Sequence, residues 1–182
     1  MPRAVLALLL STALAGGGAQ AAVQVSYSDP GRFTDADRAG GLMTAEGAVR
    51  SLAALVESLG RKLPPGADLL VEILDLDLAG RIAPELDPSG ARRVFDRRTW
   101  PRIRLRFTLT ESGRVVARGE ELISWQDYLE RATARFAGDP LRFEKAMLTE
   151  WFETRIARRW GDRRLSDPSS SRSAETPRAS LG

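Results

Sequence analysis

Residues 102–124, "RIRLRFTLTESGRVVARGEELIS", decide the fold. Ile103, Leu105, Phe107 and Leu109 alternate with Arg102, Arg104, Arg106 and Thr108, the two-residue period of a strand with one face buried and one in water. "ESGR" (111–114) supplies a tight turn in which Gly113 is free to take positive φ, and "VVARGEELIS" (115–124) returns as the partner strand. A hairpin with one charged face predicts an antiparallel sheet covered on one side only.

Upstream, "LLVEILDLDLAGR" (69–81) is aliphatic enough for an interior strand yet contains two aspartates. Strict alternation puts Leu70, Leu74, Leu76 and Leu78 on one face and Val71, Ile73, Asp75 and Asp77 on the other. Before it, Val49, Leu52, Val56, Leu59 and Leu63 recur at helical spacing, with Thr44 as N-cap and Gly60 near the end. "VQVSYSD" (23–29) alternates as a further strand, and the strand–helix–strand run can close as one parallel crossover. Residues 80–100 contain two prolines, two glycines and no sustained period, a connection of the length that marks a functional or mobile segment.

Downstream, Ser124 with Asp127 reads as a capping box opening a helix through Trp125, Leu129, Ala132 and Phe136 to Gly138. Asp139 and Pro140 start a longer helix whose apolar stripe is Leu141, Leu148, Trp151, Phe152, Ile156 and Trp160. The expected fold is α+β: a mostly antiparallel four-stranded sheet with helices packed on one face, in the order β-α-β-loop-β-β-α-α.

At the amino end, Arg3 is followed by "AVLALLLSTALA", a glycine break and "AQA" (19–21), the pattern of a secretory signal peptide ending at residue 21. The apolar run is short for a bilayer span, no cysteine follows it to carry a lipid, and no second long apolar segment occurs. Residues 22–160 then form a single α+β domain, and residues 161–182, rich in Ser, Arg and Pro, read as a disordered tail. The expected location is the periplasm.

The chain of 182 residues has no cysteine and no histidine. Their absence removes thiolate and imidazole metal ligands, cysteine nucleophiles and every triad with an imidazole base, so no cofactor is indicated and an enzyme is the lesser expectation. Lys plus Arg number 27 against 24 acids, and all but Lys62 and Lys145 are arginines, which pair with carboxylates and phosphates through a planar fork.

Two constellations stand out. Asp75 and Asp77 repeat at i, i+2 while Arg102, Arg104 and Arg106 repeat at the same period on a neighbouring strand, so a cross-strand charge ladder is the favoured reading. Anchoring of a loop, and a divalent-metal or catalytic pair completed by Asp29, Asp35 or Asp37, are the alternatives. The second is basic: from Arg81 to Arg106 eight arginines face three acids. Arg81, Arg92, Arg93, Arg97 and Arg98 are its candidate binding residues, for an anionic envelope component or an acidic partner protein, since nucleic acid is not an expected partner of an exported chain. The aromatic and methionine content of "WQDYL" (125–129) and "FEKAMLTEWF" (143–152) reads as core.

"YSDPGRFTDA", "DLDLAG", "WPRIRLRF" and "FEKAMLTEWF", in this order and spacing, resemble the exported bacterial family known only as domain of unknown function 3016, over residues 23–160. The resemblance implies a periplasmic or envelope location and brings no activity, cofactor or catalytic residue. The resulting expectation is a non-enzymatic binding module of the envelope, with a divalent-metal-dependent enzyme using the aspartate pair as the alternative.

Overall fold

A computed structural model describes residues 21–35, 43–83, 85–86, 93–131 and 134–160. The expected tail and all but the last residue of the expected signal peptide lie outside these residues, as do Asp37 and Arg92.

Four strands form one sheet in the order β1 (Val23–Tyr27), β2 (Ala67–Asp77), β5 (Arg102–Glu111), β6 (Arg114–Ser124). β1 runs parallel to β2, so the strand–helix–strand run does close as a parallel crossover, while β2–β5 and β5–β6 are antiparallel and the sheet is mixed. The β5–β6 turn has positive φ at both Ser112 (49°) and Gly113 (77°), the backbone whose twist matches a two-residue hairpin.

Helix α1 (Ala45–Gly60) starts where Thr44 Oγ1 accepts from Gly47 N–H at 3.0 Å. Its stripe of Val49, Leu52, Val56 and Leu59 is buried against β1 and β2. Gly60 lies so close to β1 that a Cβ there would overlap the side chain of Val23. Helix α2 (Arg142–Trp151) continues through a π-helical stretch, Phe152–Ala157, to Trp160. Every member of its expected stripe is buried, joined by Phe143 and Met147. Both helices pack on the Ile103, Leu105, Phe107 and Leu109 face, which leaves the opposite face uncovered by any described element.

Three sequence expectations are corrected. Among the described residues no α-helix forms over 124–138: β6 runs to Ser124, Trp125 N–H donates to the Pro101 carbonyl, and the Asp127 carboxylate takes Arg131 instead of a helix N–H. The described residues there form only short 3-10 turns, at Tyr128–Glu130 and Ala134–Phe136. Residues 80–100 are not all irregular, because β3 (Arg81–Ile82) pairs with β4 (Arg93–Val94) in a small hairpin. The alternation assigned to β2 fails at Leu74, where a bulge shifts the register between Ile73 and Asp75. Val71 and Ile73 therefore face the core, as Leu76 and Leu78 do, whereas Asp75 and Asp77 lie on the open face with the exposed Leu70.

Candidate functional site

The bulge delivers both aspartates to the open face but to different partners. Asp75 sits opposite Arg104 in register, yet its two oxygens accept from the N–H and hydroxyl of Thr34, each at 2.7 Å, which ties the loop after β1 to β2. Asp77 is opposite Arg102 and pairs with it, and Arg102 also lies over the Trp100 ring. Arg106 lies between Glu72 at 2.8 Å and Glu120 at 3.0 Å, which raise its pKa further; the Glu120 hydrogen bond is the larger cause. Arg104 makes no ion pair among the described residues. Of the other carboxylates expected beside the pair, Asp29 accepts from Gly31 N–H, and Asp35 is buried elsewhere. Among the described residues no three acidic side chains are grouped to hold a metal ion.

A buried polar cluster, which the sequence reading missed, lies under the β2–β3 turn. Asp35, 5% exposed, accepts from Leu78 N–H at 3.0 Å and from Arg93 Nη2 at 3.1 Å. Arg93 also donates to the carbonyls of Ala79 and Gly80, both at 3.0 Å. Glu144, 1% exposed, accepts from Ala79 N–H through one oxygen, while Oε2 has no hydrogen-bond partner. Burial pushes the Glu144 carboxyl up to about 7, against the opposing pull of the Ala79 N–H and Arg93. One signal was available: Glu144 occupies the same α2 stripe as Leu141, Leu148 and Trp151, where an acid has no reason to be unless the interior supplies a partner.

The chain beyond β4 is held from beneath. Asp96 accepts from Arg98 N–H at 2.8 Å and Thr99 Oγ1 at 3.2 Å, and the Arg98 N–H is the largest cause holding its carboxyl below the usual range. The Asp96 carbonyl takes the hydroxyl of the buried Tyr128 at 2.7 Å, and Phe95 packs edge-on against Phe143 at 5.2 Å.

This scaffold divides the expected binding arginines. Arg93 points inward and is committed to Asp35 and the turn carbonyls. Arg81 pairs with Glu85 at 2.6 Å and with Asp96 at 3.7 Å. Arg97 is exposed and pairs with exposed Glu130 at 2.8 Å, and Arg98 is exposed with no ion pair among the described residues. Trp125, Tyr128, Phe143, Met147, Trp151 and Phe152 are all buried.

Together these residues define a mixed-sheet α+β fold, open on one face, with a pinned loop after β4 that displays guanidinium groups. Residues 21–154 match the model of a protein family described as "Protein of unknown function (DUF3016)", and the chain belongs to that family. No curated protein matches it. No helix among the described residues is long and apolar enough to cross a membrane.

Proposed function

We propose that the protein is an exported, non-enzymatic binding module of the cell envelope that engages an anionic envelope component through the loop after β4. Arg97 and Arg98 are its contacts; the other expected contact, Arg92, precedes β4 and lies outside the described residues. The observation that carries this reading is the contrast within one loop: its backbone is fixed by the Asp96 carboxylate, the Tyr128 hydroxyl and the Gly80 N–H that donates to the Thr99 carbonyl, while two adjacent guanidinium groups at Arg97 and Arg98 stay in water. An ordered backbone lowers the entropy lost on binding, and guanidinium forks suit phosphate and carboxylate oxygens. The Arg97–Glu130 pair is exposed on both sides, so a ligand anion displaces Glu130 at little cost. Export rests on the N-terminal pattern of Arg3, an apolar run and "AQA".

The test is co-sedimentation with vesicles of phosphatidylglycerol and with lipopolysaccharide, using wild type and an Arg97→Ser/Arg98→Ser variant. Arg93 is left intact because its removal would disturb the loop itself. Binding by the wild type that weakens in the variant at an unchanged melting temperature supports the proposal. Equal binding by both, or none by the wild type, overturns it.

A further inference from the structure

β6 is an eleven-residue strand at the end of the sheet order, with β5 on one side and no strand on the other among the described residues. Edge strands present alternate N–H and C=O groups to any strand that can lie alongside, and proteins commonly blunt or cover them. On this edge the Val116 carbonyl is taken by Arg159 at 3.0 Å, and no other backbone group of β6 is bonded outside its own hairpin among the described residues. The other edge, β1, is only five residues long.

The side chains of β6 say what fits. Arg118, Glu120 and Leu122 stand on the open face, opposite Thr108, Arg106 and Arg104 of β5. Arg118 is exposed with no ion pair among the described residues, while Glu120 shares Arg106 with Glu72 and keeps its second oxygen available. Leu122 and Val115 are 64% and 50% exposed, two of the five large apolar side chains in water among the described residues.

We propose that β6 pairs antiparallel with β6 of a second copy of this chain about a two-fold axis at Gly119. In that register Arg118 of each copy lies opposite Glu120 of the other, and Leu122 comes beside the other copy's Val115 and Val116. Register is decided by charge. Pairing must keep the open faces on one side, so a strand can slide only by an even number of residues. A slide of two places Arg118 against Arg118 in one direction and Glu120 against Glu120 in the other, and like charges directly opposite are unfavourable. The interface is isologous, as a two-fold dimer requires, and joins the two sheets into one. It is independent of the arginine loop proposed to bind anions.

Sedimentation velocity on the purified protein over a range of concentrations tests it, with Arg118→Glu and Arg118→Lys beside the wild type. The wild type and Arg118→Lys should dimerise, and Arg118→Glu should remain monomeric with an unchanged far-ultraviolet spectrum. A second measurement covers loss of fold: the chain has no cysteine, and a Cβ at Gly119 meets only the Phe107 ring, at 3.5 Å, so Gly119→Cys introduces a single thiol at the axis. Antiparallel partners have Cα atoms about 4.5–5.5 Å apart, within disulfide reach, so this variant should oxidise to a covalent dimer, while Gln24→Cys on β1 should not. A wild type that stays monomeric at its highest soluble concentration, an Arg118→Glu variant that dimerises as the wild type does, or equal cross-linking at residues 119 and 24 overturns the proposal.

Discussion

Glu144, on α2, accepts the N–H of Ala79, 65 residues earlier in the chain, at 2.6 Å. The adjacent N–H, of Leu78, goes to Asp35 from the loop after β1. The end of β2 is thus capped by two buried carboxylates from distant segments, and Arg93 of β4 closes the cluster against one of them. An unpaired buried N–H costs as much as a lost hydrogen bond, so these caps allow the sheet to end inside the protein instead of at its surface.

Glu144 makes stability depend on pH. Its folded pKa of about 7 is raised above its ordinary 4.5, so between those values the native state holds a proton that the unfolded chain has released. Stability therefore falls as pH rises through that window, by up to about 3 kcal/mol. Urea midpoints of wild type measured from pH 4.5 to pH 8 should decline, and Glu144→Gln should flatten the decline and be the more stable protein at pH 8. A Gln variant with the same slope as wild type would refute the assignment.

Arg93 and Arg97 should separate sharply. Arg93→Ala leaves Asp35 buried without its cation and two turn carbonyls without a donor, a loss of about 3 kcal/mol. Arg97→Ala, at an exposed pair, should leave the denaturation midpoint within error of wild type. Chemical denaturation of the two variants side by side distinguishes an internal fastener from a surface group.

The aspartates of β2 should also differ. Asp75→Ala removes the acceptor for both the N–H and the hydroxyl of Thr34 and should cost about 1–2 kcal/mol, with faster amide exchange around Thr34. Asp77 with Arg102 should show a coupling of about 0.2–1 kcal/mol in a double-mutant cycle. Coupling of that size between Asp75 and Arg104 would contradict the geometry, since Thr34 already occupies Asp75.

Gly60→Ala tests packing against propensity. Alanine is favoured over glycine within a helix by about 1 kcal/mol, but here its methyl would overlap Val23. Overpacking of this kind costs about 1–3 kcal/mol, so the melting temperature should drop, and Val23→Ala in the same chain should recover part of the loss.

Much of the architecture is legible along the chain because period and turn chemistry are local. The hairpin of β5 and β6, the α1 stripe and the α2 stripe each follow from spacing that any three or four neighbouring residues reveal. The helix expected over 124–138 is not found among the described residues: Ser124, its expected N-cap, stays paired with Arg102 of β5, a partner no local pattern includes. Leu74 is a bulge for the same kind of reason: nothing in "EILDLD" marks which residue is skipped until β5 lies beside it.

The candidate site divides along the same line. Composition alone removes thiol and imidazole chemistry, and sequence alone places eight arginines between Arg81 and Arg106. Which of them face water is a tertiary matter, because a guanidinium is spent or left available by carboxylates and carbonyls that reach it from distant segments. Asp35 takes Arg93 across 58 residues, and Glu130 takes Arg97 across 33. Periodicity determined the layers of this protein; long-range pairing of its polar groups decided where β2 ends, which aspartate ties down a loop, and which arginines stay in water.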